Sequence, residues 1–148
     1  MRAVVQRTTG ASVEVEGKIV GQIARGLVVF LGIEEGDTTA DLNYICDKVT
    51  GLRVFDDENE IPNLSLVDIS GSVLIVSQFT LCADARKGKR PSYIKAARPE
   101  QAIPLYEAAL ARLSESVPVA SGVFQANMQV RLVNDGPHTI LLDSKKLF

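Results

Sequence analysis

Histidine is almost missing from this chain, with His138 the single one in 148 residues. That excludes a zinc site built on several imidazoles and any mechanism needing two histidines. Cysteine is scarce too. Cys46 and Cys82 stand apart without CxxC spacing, so free thiols in a reducing, cytoplasmic setting are expected. No hydrophobic run reaches the ~18 residues of a membrane-spanning helix, and no signal-peptide pattern opens the chain. Internal repeats, low-complexity segments and linkers are also lacking. Charge of either sign is not in excess: 16 Lys and Arg against 18 Asp and Glu leave a net charge of −2. Any nucleic-acid contact must therefore come from a local basic patch rather than from bulk charge.

The residues present are those of one globular domain, 1–148, with 46% hydrophobic composition and enough length to bury roughly two-thirds of its unfolded surface. Strands are expected at Ala3–Arg7 and at Ala11–Glu16, where apolar and polar residues alternate, followed by a turn at Gly17-Lys18 and a returning strand Ile19–Ile23. Leu27–Ile33 is a continuous apolar run, the mark of a central strand. Asp37 can cap a helix in which Leu42, Ile45, Cys46 and Val49 recur at helical spacing and which Gly51 ends. Leu52–Phe55 reads as a strand, and Asp56–Glu60 as an acidic, solvated turn without calcium-loop spacing. A second helix follows Pro99, with Ala102, Leu105, Tyr106, Ala109, Leu110 and Leu113 on one face. Pro104 means that it either starts there or is kinked in its first turns. Strands at Val117–Phe124, Met128–Val133 and Thr139–Leu142 close the chain. About nine strand segments and two helices make an α+β fold, a curved, mostly antiparallel, barrel-like sheet covered by the helices.

Two stretches carry chemistry. Val73–Leu81 opens as a buried strand, then runs into Ser77, Gln78 and Thr80 interleaved with Phe79. Hydrogen-bonding side chains at a buried strand end need partners, which can be protein, water or a ligand. Asn134-Asp135-Gly136-Pro137 is a turn by composition, read as a hairpin corner between the last two strands. A Gly-Pro bond can be held cis at only ~0.5–1 kcal/mol. Between these stretches, Arg86, Lys87, Lys89 and Arg90 place four cations in five positions of a loop, suited to a phosphate backbone.

Ser77-Gln78-Phe79-Thr80 together with Asn134-Asp135-Gly136-Pro137 and Thr139 resembles the D-aminoacyl-tRNA deacylases. The likeness extends over nearly the whole chain, including Met1–Arg7, Asn63–Leu66 and the Arg86–Ser92 loop. It implies a homodimeric, metal-free and cofactor-free esterase that removes D-amino acids or glycine from tRNA. Ser77, Gln78, Phe79 and Thr80 would line the catalytic pocket. Gly136 and Pro137, as a cis pair reaching into the partner's pocket, would exclude an L side chain. The chain departs from the family pattern at His138, commonly valine, and at Cys82, commonly aromatic. The terminal ribose hydroxyl of the tRNA would assist catalysis, with backbone N–H groups near Phe79 and Thr80 forming an oxyanion hole. The rivals are a covalent Thr80 or Ser77 nucleophile activated by His138, with Asp135 or Asp143 as its orienter, and a non-catalytic tRNA-binding module.

Overall fold

The computed structural model describes residues 1–147. Eight strands and two helices form among them. The first strand, β1, spans Arg2–Val15 without a break, where two separate strands are expected from the sequence. Thr8 explains the continuity. Fully buried, it donates its hydroxyl to the Val133 carbonyl at 2.7 Å and accepts the Gly10 N–H at 3.1 Å, so the side chain fills a gap in the ladder. A tight turn at Glu16-Gly17, one residue earlier than anticipated and with both φ angles positive, leads into β2, Lys18–Ile23.

β3, Gly26–Gly32, lies beside the first half of β1, and β2 beside the second half. Both pairings are antiparallel. β3 then pairs in parallel with β6, Ser72–Ser77, and β6 in parallel with β7, Val119–Ser121. The alternation of side chains explains why these runs are apolar throughout. Leu27, Val29, Val73 and Ile75 face the helices, while Val28, Leu74 and Val76 face a second core on the other side. The curl of the sheet brings β2 against β7 so closely that a Cβ at Gly21 would lie 2.4 Å from the Ser121 carbonyl oxygen. The sheet is therefore mixed and nearly closed, with its antiparallel part centred on β1.

The first helix, α1, spans Thr39–Gly51 and buries Leu42, Ile45, Cys46 and Val49 as the spacing predicts. Its cap is Thr38, not Asp37. The Asp41 carboxylate accepts the Thr38 N–H at 2.8 Å, while buried Asp37 instead receives the Met1 amino group at 2.7 Å and the Glu34 N–H at 2.7 Å. The second helix, α2, starts at Pro99 and runs through Pro104 to Ser114. Proline suits the first position because its missing N–H has no helical acceptor there. Strand structure is shorter than expected elsewhere. Of Leu52–Phe55 only Phe55 joins a strand, β4 (Phe55–Asp56), which pairs with β5 (Pro62–Leu64). The Asp57 carboxylate ties the intervening turn by accepting the Asn59 and Ile61 N–H groups. Val117–Phe124 reduces to β7, because Phe124 leaves the sheet to pack on Tyr106 at 5.6 Å. Among the described residues no helix is long and apolar enough to cross a membrane.

The largest difference lies at the end of the chain. Met128–Val133 and Thr139–Leu142 are not two strands around a hairpin corner. They belong to one strand, β8, Gln129–Asp143, antiparallel to β1 along its length. The turn-like residues between them form a bulge, since the pairing passes from Gln6 with Thr139 to Thr8 with Asn134, two steps along β1 against five along β8, and two β1 side chains hold that bulge beside the strand. Gln6 Nε2 donates to the Asn134 side chain and to the His138 carbonyl at 3.1 Å, and its Oε1 accepts the Thr139 hydroxyl. Arg7, whose side chain is only 6% exposed, reaches the Asp135 carboxylate at 3.0 Å and, on its other side, the Val54 carbonyl at 2.7 Å and Asp56 at 3.2 Å.

Two stability measurements follow from these contacts. Burial raises the Asp41 carboxyl, but hydrogen bonds from Ser144 and Thr38 outweigh that and bring its pKa from 3.8 down to about 2. A lowered folded-state value stabilises the protein above the ordinary carboxylate range and is lost as pH falls from about 4 towards 2. Asp41→Ala should cost about 1 kcal/mol at neutral pH, a melting point lower by ~2–4 °C, and the deficit should shrink in acid. Arg7→Ala should cost about 2–3 kcal/mol, near the low end for a broken buried pair because Asp135 and Asp56 keep 32% and 40% exposure. The urea midpoint should fall at constant slope; an unmoved midpoint would show that Arg7 carries no such load.

Candidate active site

β6 ends at Ser77, opposite Leu31 of β3. The expected continuation to Leu81 does not form. Gln78 makes one last bond from its N–H to the Leu31 carbonyl at 2.8 Å, and Phe79–Cys82 then coil into a 3-10 turn. Phe79 and Thr80 lead this turn, and the first residues of a 3-10 turn have no carbonyl within it to accept their N–H groups. Neither N–H finds an acceptor among the described residues. The result is a pair of adjacent, uncommitted donors at the end of a buried strand.

A cavity of about 650 Å³ opens here. Leu31, Ile33 and Val76 supply apolar wall, Ser77, Gln78 and Phe79 form one rim, and Phe124 to Met128 form the facing rim. The start of α2 closes a third side through Arg98, Pro99 and Ala102. Phe79 is 57% exposed and meets Tyr93 edge-on, with ring centroids 5.2 Å apart, so an aromatic pair stands at the mouth.

The sequence-derived candidates divide in space. Ser77, Gln78 and Phe79 line the cavity, whereas Thr80 does not; its hydroxyl accepts a hydrogen bond from Gln78 Nε2. Gly136 lies exposed in β8 and lines no part of its own chain's cavity, and the Pro137 side chain lies outside the described residues. His138 offers its carbonyl to Gln6, and no hydrogen bond joins its imidazole to Ser77 or Thr80. Among the described residues, neither hydroxyl bonds to a carboxylate. Both thiols are buried. Burial, reinforced at Cys82 by the nearby Glu34 charge, pushes each up to about 11, so neither is a thiolate at neutral pH.

The basic loop is closed at its base by paired backbone bonds between Asp84 and Ser92, at 2.8 and 2.9 Å. Arg86 is folded back onto Asp84, donating from Nε at 2.9 Å, and its guanidinium holds the Asp84 carboxyl well below the usual range. Lys87, Lys89 and Arg90 are exposed and form no ion pair among the described residues. The loop runs from the 3-10 turn to Tyr93, so these cations are tethered beside the cavity mouth. Sequence reasoning missed Tyr93, Arg98 and the Phe124–Met128 rim, together with Gln6 and Arg7 as the holders of the Gly136 region. Tyr93, following a proline in a basic loop, is the one with a legible cue.

The model of a family described as D-Tyr-tRNA(Tyr) deacylase matches residues 4–143. Proteins named D-aminoacyl-tRNA deacylase are similar over the full length of both chains, at 58% identity in Koribacter versatilis, 55% in Desulfitobacterium hafniense and 56% in Thermotoga petrophila. Among solved structures, one titled c-Myc DNA Unwinding Element Binding Protein is 41% identical, with a TM-score of 0.92 over 97% of this chain and 98% of that one. Another, titled as a probable eukaryotic D-amino acid tRNA deacylase, shares the fold at 17% identity, with a TM-score of 0.77 over 95% of this chain and 98% of its own. With its strand-end donor pair and cavity in place and more than half its residues shared along the whole length of these relatives, the chain belongs to the D-aminoacyl-tRNA deacylase family.

Proposed function

We propose that this enzyme hydrolyses the ester joining a D-amino acid, or glycine, to tRNA and leaves the L-aminoacyl ester intact. The observation that carries the reading is the pair of free N–H donors on Phe79 and Thr80, set at the edge of a cavity large enough for an aminoacyl group with part of its nucleoside. In the reaction, water adds to the ester carbonyl carbon, and the two N–H groups stabilise the negative oxygen that forms. The carbon–oxygen bond to the ribose then breaks. The vicinal ribose hydroxyl relays the proton from water to the departing ribose oxygen, so the protein's part is to position substrate and donors. The Thr80 hydroxyl is engaged by Gln78, and neither it nor Ser77 has a base in hydrogen-bonding contact among the described residues, which favours this scheme over a covalent one.

Chirality is read across a homodimer, with Gly136 and Pro137 of one subunit lining the cavity of the other. Two features support that reading. β8 pairs only with β1 among the described residues, so its outer edge is unpaired along a 15-residue strand that also exposes Val133 and Leu141. Such an edge is an aggregation hazard unless something covers it. Gly136 is also exposed where a side chain would meet only the Asn134 side chain at 3.8 Å, leaving its backbone open to approach. Lys87, Lys89 and Arg90 then meet the tRNA backbone, with Arg86 bracing the loop from its pair with Asp84.

The deciding experiment is single-turnover deacylation of matched D-aminoacyl-, glycyl- and L-aminoacyl-tRNA in the presence of a chelator. The D and glycyl esters should be lost fast, with the L ester slower by on the order of 100-fold or more. Loss of all three would remove the gate from the proposal. Tight binding with no hydrolysis would mark the protein as a tRNA-binding module. For the loop, joint replacement of Lys87, Lys89 and Arg90 by alanine should lower the salt slope of tRNA binding by about 2–3, with the saturating rate nearly unchanged. An unaltered slope would take the loop out of the interface.

A further inference from the structure

We infer that Arg2 is a positioning residue for the reaction, holding the 3-10 turn that carries the Phe79 and Thr80 donors; the inference rests on the reading of those donors given above. Arg2 pairs with Gly32 of β3 on one side and with Asp143 of β8 on the other, so the three residues form one row across the sheet and share a face. The turn sits on that face. A Cβ at Gly32 would lie 2.9 Å from the Leu81 Cβ and 3.0 Å from the Gln78 carbonyl oxygen, so glycine leaves the space in which the turn is seated.

Arg2 then fastens it. Its Nη1 donates to the Leu81 carbonyl at 3.0 Å, its Nε to the Asp143 carboxylate at 3.1 Å, and its Nη2 lies 3.0 Å from Glu34. Asp143 and Glu34 are 1% and 6% exposed, so they fix the guanidinium, and Lys145 braces Glu34 from the far side at 3.0 Å. A planar fork can donate to the Leu81 carbonyl and to Asp143 at once while its charge faces Glu34, whereas an ammonium can meet one acceptor well. The turn needs this support because it holds itself poorly. Its internal bonds are of 3-10 type, such as Leu81 N–H to the Gln78 carbonyl at 3.1 Å. The cation grips the carbonyl end of the turn, and the opposite end begins at Phe79, which lines the cavity. Arg2 touches no substrate; it sets the direction in which the donors point.

The test compares Arg2→Ala, Arg2→Lys and wild type in single-turnover deacylation of D-aminoacyl-tRNA across enzyme concentration, beside thermal melting. Arg112→Ala, which removes the Asp47 pair between α1 and α2, serves as a variant weakened elsewhere. Arg2→Ala should lower the saturating rate about 10-fold or more, since donors misplaced by an ångström can cost ~100-fold, while the half-saturating concentration moves less than about threefold. Arg2→Lys should recover part of the rate, and Arg112→Ala should match wild type. A folded Arg2→Ala protein with wild-type rate, or one changed only in half-saturation, would overturn the inference. So would a loss that merely follows the unfolded fraction. If Arg2→Ala does not fold, Arg2→Lys carries the test, and an undiminished rate there overturns it.

A wild-type protein inert towards D-aminoacyl-tRNA would overturn the functional reading instead. The Phe79 and Thr80 amide resonances would still judge the seat: they should shift and exchange faster in Arg2→Lys, and unchanged resonances refute it.

Discussion

Burying polar groups is costly unless each finds a partner, and in this protein β1 supplies the partners. Three strands pair with it directly, β8 on one edge and β2 and β3 sharing the other. The polar side chains at its centre are not an exposed face. Gln6, Arg7 and Thr8 are all buried, and each completes hydrogen bonds that an irregular β8 would otherwise leave open, at the His138, Asp135 and Val133 carbonyls. A regular ladder would satisfy the backbone of β8 without them but could not keep Gly136 at a bulge. The sequence of β1 thus trades apolar burial for control of its neighbour's shape.

The same economy appears at the cavity. β3 and β6 are apolar and packed into a core on both faces, and β6 ends abruptly at Ser77, where the polar residues begin. A stiff strand delivers the 3-10 turn to a defined place, and the turn supplies donors that a continued strand would have spent on its neighbours. The cavity wall opposite, Phe124 to Met128, comes from chain that has just left β7. Gln125 there holds a positive φ of 63°, a conformation costly for a side-chain-bearing residue and found where surrounding structure enforces it.

Periodicity made the helices and the buried strands legible, since Leu42, Ile45, Cys46 and Val49 or Val73 to Val76 state their surroundings locally. Failures occurred where a distant residue overrode a local signal. Asn134-Asp135-Gly136-Pro137 has the composition of a corner, yet Gln6 and Arg7 hold it in the sheet across 128 positions of sequence. Asp37 has the chemistry of a helix cap but is claimed by the Met1 amino group. Ser77 to Thr80 was marked out as a candidate site by its polarity, while its conversion from strand to turn depends on the space at Gly32, which no local pattern reveals. Tyr93 and Arg98 join the cavity only because the chain folds back over it.

The pairing of Arg2 with Asp143, 141 residues apart, also sets when the molecule can become complete. A strand whose principal partner is made so much later has to wait through synthesis with that edge unpaired, and joining such distant segments carries the entropy of closing a long loop. The first half of β1 can meet β3 early, but the bonds that shape the Gly136 region cannot exist before residues 134–143 emerge. The shape of the Gly136 region is for that reason a late product of folding, and a nascent chain stalled short of β8 is an unfinished sheet.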